Sequence, residues 1–177
     1  EVEKKRLICF GALLDHAGRL AREVVEAIIH HQAGLARAGG DGTSLEKNIP
    51  TRWSTTENLA WKVAIAGKGH SSPVIWGDKV LLLTCLPEKE ERVLLCLDRR
   101  NGKTLWQSTV LKTPLETLHR LNSRASSTPV TDGKMIYVTA MKVDTRKITA
   151  PNVGGARLIT PGSFVVTAFD MAEEVDV

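Results

Sequence analysis

The chain has 177 residues, 42% of them hydrophobic, which suffices for an ordinary core in one or two domains and argues against general disorder. Its 24 Lys+Arg against 20 Asp+Glu leave a formal charge of only +4, with no basic block of the size nucleic-acid-binding arms carry, so nothing in the charge nominates DNA or RNA. No stretch approaches the roughly 20 apolar residues of a membrane span, and Cys9, Cys85 and Cys96 are too few for a disulfide framework or a four-ligand zinc site.

The chain opens on Glu1 rather than Met, and the expectation is a longer or processed precursor. Lys4-Lys5-Arg6 followed by the apolar run 7–14 starts as signal peptides do, but Asp15 and His16 interrupt it without a small-x-small cleavage site, so no convincing signal peptide is read here. Over 13–36, Leu13, Ala17, Leu20, Val24, Ala27, Ile28 and Leu35 recur along one helical stripe, and Arg19 and Arg22 precede Glu23 and Glu26 at i,i+4 on the opposite side. An amphipathic helix is expected, ended by the glycines of Ala38-Gly39-Gly40-Asp41-Gly42. Such a helix either anchors a partner or membrane surface or packs on its own domain, and a polar face of mixed sign favours packing. The boundary falls between a helical segment, 1–40, and a second region, 41–177.

After Pro50 the pattern changes to short β runs. Strands are expected at 80–85 and 92–97, joined by a charged hairpin loop over 86–91, and again at 135–140 and 164–169, with a long connection over 142–162. The first pair is apolar on both faces, so each side of it must be covered, as in stacked sheets.

The segments repeat. Ser72-Pro73-Val74-Ile75-Trp76-Gly77-Asp78-Lys79-Val80 aligns without gaps on Thr128-Pro129-Val130-Thr131-Asp132-Gly133-Lys134-Met135-Ile136, 56 residues further on, and Cys96-Leu97-Asp98 matches Ala168-Phe169-Asp170, 72 further on. Leu59-Ala60-Trp61-Lys62 against Thr104-Leu105-Trp106-Gln107 supplies a strand before each Pro-Val start. Each unit reads as a four-stranded antiparallel meander, and repeats of about 40 to 56 residues of this kind mean propeller blades.

The run Cys96-Leu97-Asp98-Arg99-Arg100-Asn101-Gly102-Lys103-Thr104-Leu105-Trp106 resembles the tryptophan-docking motif AxDxxTGKxxW of pyrroloquinoline-quinone (PQQ)-type β-propeller repeats, with Cys96 in place of the alanine and Asn101 in place of the threonine. Gly69-His70-Ser71-Ser72-Pro73-Val74 and Ala125-Ser126-Ser127-Thr128-Pro129-Val130 are similar to the blade starts of the bacterial PQQ-binding-like repeat proteins. The resemblance covers about 41–170 and implies an all-β fold: an incomplete β-propeller of about two to three blades, preceded by the helix. In the motif, Gly102 supplies the positive φ of a tight turn, Asp98 accepts its amides, and Trp106 offers a flat surface to the neighbouring blade, with Trp61 in the same role one blade earlier. These residues dock blades and hold no cofactor.

No catalytic, cofactor-binding or metal-ligating residue is assigned. His70 and Ser71, adjacent on an extended segment, point to opposite faces and lack a nucleophile elbow. His30-His31 on a helix would diverge by about 100°, and Gly39-Gly40-Asp41-Gly42 lacks the Lys-Ser/Thr of a P-loop. The resemblance implies a non-catalytic module that binds protein or carbohydrate, periplasmic or extracellular, without a cofactor. The alternative is a fragment of a PQQ- and calcium-dependent quinoprotein dehydrogenase whose catalytic residues lie elsewhere; neither adjacent cysteines nor a matching carboxylate-Asn group stands in this chain. Binding is expected at a rim formed by the loops before Pro73 and Pro129, with His70, Ser71, His119, Asn122, Ser123 and Arg124 at one surface. Two to three blades fall short of the roughly four to eight of a closed ring, so with its apolar faces exposed the 177-residue chain is expected to self-associate or to be partly molten, and a longer chain would close the ring.

Overall fold

The computed structural model describes residues 7–12, 25–30, 52, 54, 57–119, 122–144, 146–150 and 158–172. Among these the chain is all-β, built from antiparallel sheets. Strand β1 (Leu7–Ala12) pairs with β2 (Val25–His30), which pairs in turn with the short β3 (Ala64–Ile65). Val25–His30 is therefore strand where a helix was expected, and the rest of 13–36 lies outside the described residues. Val25, Ile28 and Ile29 favour a pleated surface, and a ladder on either side outweighs a helical spacing that counts only local periodicity. This sheet also joins residues from both sides of the expected boundary at 40–41.

Two meanders follow. The first is β4 (Val74–Trp76), β5 (Lys79–Leu86), β6 (Glu91–Asp98) and β7 (Thr104–Lys112), paired in chain order. The expected charged loop between β5 and β6 is a single 3-10 turn, Pro87–Lys89, closed by Glu90 in the left-handed conformation, whose amide donates to the Pro87 carbonyl at 3.1 Å. The second meander has β8 (Val130–Thr131), β9 (Met135–Val143) and, after the small β10 (Ile148–Thr149) and β11 (Leu158–Ile159) pair, β12 (Gly162–Asp170), ordered β12-β9-β8.

The internal repeat extends to register and hydrogen bonds. Val74 lies opposite Leu81 as Val130 lies opposite Tyr137, and Lys79 opposite Asp98 as Met135 opposite Asp170. The Arg99 amide donates to Asp78 at 2.8 Å and the equivalent Met171 amide to Lys134 at 2.7 Å. Asp98 Oδ1 accepts from the Arg100 amide at 2.6 Å, and Asp170 Oδ1 from the Ala172 amide at 2.8 Å, the same aspartate turn in each copy. Ahead of each Pro-Val start a serine hydroxyl accepts from the neighbouring strand: Ser71 Oγ from the Leu83 amide at 3.1 Å, Ser127 Oγ from the Thr139 amide at 3.4 Å. The side chain thus caps a ladder that the approaching prolines interrupt.

The copies differ in completeness. The first is four-stranded and the second three-stranded among the described residues, and these form no closed ring of sheets. Leu59-Ala60-Trp61-Lys62, expected as a strand, forms no strand and leads into β3.

Both faces of β5 and β6 are buried, as apolar strands require, whereas β7 alternates between buried and exposed positions. Leu81, Leu83, Cys85, Leu94, Cys96, Trp106 and Val110 pack on one side with Ile136, Val138 and Ala140 of the second meander. Val80, Leu82, Val93, Leu95 and Leu97 pack on the other side with Trp61 and Ile65. The second meander buries only its inner face, and Phe164, Val166, Val130 and Tyr137 on the outer one are exposed.

Candidate functional site

The tryptophans sit where turns let them in. Gly102 has φ +74°, and a β-carbon added there would lie 2.5 Å from the Trp61 ring. The Trp61 indole Nε1 donates to the Arg99 carbonyl at 2.8 Å, so the ring is clamped onto the turn that starts at Asp98. In the β8–β9 turn the Trp76 ring lies against Gly133, at φ +88°, where an added β-carbon would meet ring carbon Cζ2. Trp106 is buried in the core that includes Met171, the residue after Asp170, as Arg99 is the residue after Asp98. Trp61 and Trp106 thus pack in the two cores, Gly102 leaves room for the Trp61 ring, and Asp98 accepts an amide of its own turn.

The two loops expected to share a rim are hydrogen-bonded to each other. The His70 amide donates to Ser123 Oγ at 2.9 Å and to the Ala125 carbonyl at 3.0 Å. Ser123 Oγ also meets Ser126 Oγ at 2.9 Å, and the Asn122 amide donates to the His119 carbonyl at 2.9 Å. His70, His119 and Asn122 are exposed along this edge, while Ser123 and Arg124 are half-buried. Ser71 does not join them: it is buried, its hydroxyl committed to the Leu83 amide. The alternation of an extended segment turns His70 outward and Ser71 inward.

Behind the rim lies a charged cluster that the sequence reading missed. Arg92 is wholly buried, pairing through Nη2 with Glu116 Oε2 and donating from Nη1 to the Thr113 carbonyl at 2.9 Å. Arg124 donates from Nη2 to the Glu116 carbonyl at 2.8 Å and approaches the same carboxylate, Nε to Oε2, at 3.7 Å. Two cations therefore share one buried carboxylate, and Arg92 Nε has no hydrogen-bond partner among the described residues. The signal was a charge inside a run otherwise apolar on both faces, since a buried cation requires a partner somewhere in the fold. Cys85, opposite Arg92 in the ladder, has its thiol pushed up by burial, with Arg92 and Arg124 pulling the other way.

The edge offers solvent the exposed polar side chains of His70, His119 and Asn122. Among the described residues no group of three or more His, Cys, Asp or Glu side chains is placed to share a metal ion. No helix among the described residues is long and apolar enough to cross a membrane. Compared with protein-family models, curated proteins and solved structures, the chain matches none.

Proposed function

We propose that this chain is a non-catalytic binding module of PQQ-like β-propeller repeats, periplasmic or extracellular, whose partner is a protein or a carbohydrate met at the rim of His70, His119, Asn122, Ser123 and Arg124. The observation that carries this reading is the direct bonding of the two lead-in loops, His70 to Ser123 and Ala125, which gathers exposed polar side chains from both repeats on one scaffolded edge. The repeated aspartate turns and strand registers support the repeat type. No cofactor is required for such a role.

The test is binding to immobilised panels of oligosaccharides and folded proteins, with wild type compared against a His119→Ala/Asn122→Ala double variant. A ligand retained by wild type and lost by the variant is the expected result. Retention undiminished by the variant overturns the rim. A visible absorbance band held by the protein after addition of PQQ and calcium overturns the non-catalytic reading in favour of the dehydrogenase fragment.

A further inference from the structure

The outer face of the β8-β9-β12 sheet is apolar and, among the described residues, has no sheet packed against it. Phe164 is 82% exposed, Val166 68%, Val130 63% and Tyr137 41%. They form one patch: in the ladder Val130 and Ala168 flank Tyr137, Val166 stands beside Thr139, and Phe164 beside Met141. Along these rows the one ionisable carboxylate is Asp170, at the far end opposite Met135. In the first meander the equivalent face, Leu81 and Leu83, is buried against another antiparallel sheet.

We infer that this face is a homotypic docking surface, on which a second copy of the chain seats its own β8-β9-β12 sheet face to face about a two-fold axis. Three features favour a second copy. The centre of the patch carries no charge, so two identical faces meet without repulsion, and an isologous interface requires this self-complementarity. Its shape is a pleated sheet face, and the inner side of the same sheet already packs on a sheet. Its area fits as well: the two aromatic rings alone expose on the order of 250 Å2, and the valines with Ala168, Thr139 and Met141 carry the patch toward the roughly 800 Å2 per partner of a standard interface. This surface is separate from the rim, so either can fail without the other.

Sedimentation equilibrium of the full 177-residue chain tests the inference, together with Val166→Lys and Val166→Glu variants. Val166 is exposed, so neither substitution should unfold the core, and unchanged tryptophan emission verifies this. Wild type should be dimeric in the micromolar range and each variant monomeric, because a charge of either sign is then placed in the apolar interface. A wild type monomeric at every concentration overturns the inference. So does a dimer that both variants keep, since the partner surface is then a different one.

Discussion

Gly102 and Gly77 both take positive φ, +74° and +56°, but only Gly102 has a ring against it. Replacing either with alanine costs the left-handed backbone term, about 1–2 kcal/mol. At Gly77 no atom lies within 4 Å of the new methyl, whereas at Gly102 the methyl would displace Trp61. Urea unfolding should therefore show Gly102→Ala as clearly the more destabilising of the pair, with its tryptophan emission shifted to the red. Equal losses would mean that the indole clamp adds nothing to the turn. The buried ion cluster gives a second residue-level expectation. Glu116→Ala strands the Arg92 guanidinium in the core and should cost about 3–5 kcal/mol, while Arg92→Met combined with Glu116→Leu should recover most of that loss in the same assay. The exposed pair Arg100–Asp78, at 2.5 Å, is a contrasting case: the hydrogen bond raises the Arg100 pKa, yet solvent screening leaves its removal almost without effect on stability.

Strands β5 and β6 are buried on both faces, and this sets their response to pH. Burial pushes the Cys96 thiol on β6 up to about 11 from an ordinary value of 9.0, with Lys79 opposing weakly. The folded state favours the neutral thiol, so its contribution is complete below pH 9.0 and is lost as pH rises through the interval up to about 11. Thermal melts should show a midpoint that falls across this interval, and Cys96→Ala should make the fall shallower. A decline of the same steepness in the variant would assign it to other groups. In the β8–β9 turn, Asp132 moves oppositely. Amide donors from Met135 and Lys134 lower its pKa, so its contribution is present above the ordinary carboxylate value and is lost as pH falls through the lowered one. The two groups favour the fold between the acid and alkaline limits.

The first meander is held between two layers, and the second has a layer on one side only. Stability should be distributed accordingly. Trp106 belongs to the layer between the two meanders, and Trp106→Ala should cost about 3–5 kcal/mol, as truncation of a buried large aromatic does. Hydrogen exchange should then show faster opening of β9 and β12 than of β5 and β6, because the second sheet depends on that one interface. Uniform acceleration across both sheets would indicate that the meanders open only together.

Much of this was legible along the chain. The β runs, the doubled Pro-Val starts and the Asp-to-Trp motif depend on local rules of period two, turn chemistry and spacing, and these survive into the registers and aspartate turns seen in both copies. Burial on both faces of β5 and β6 followed from residue type alone, because a strand without a polar side cannot face water. Other features depend on partners remote in sequence. Val25–His30 pairs with Leu7–Ala12 and Ala64–Ile65, and a helical spacing within one segment contains no information about those ladders. Ser71 was read as a rim residue, although its hydroxyl faces the Leu83 amide, because a serine's role depends on which backbone group its neighbour leaves unpaired. The Arg92–Glu116–Arg124 cluster joins side chains from one strand and two loop positions, and only the packing of the meanders removes them from water together. The exposed face of β8, β9 and β12 has the same origin: periodicity shows which side chains share a face, whereas its accessibility depends on which sheet, if any, is stacked against it.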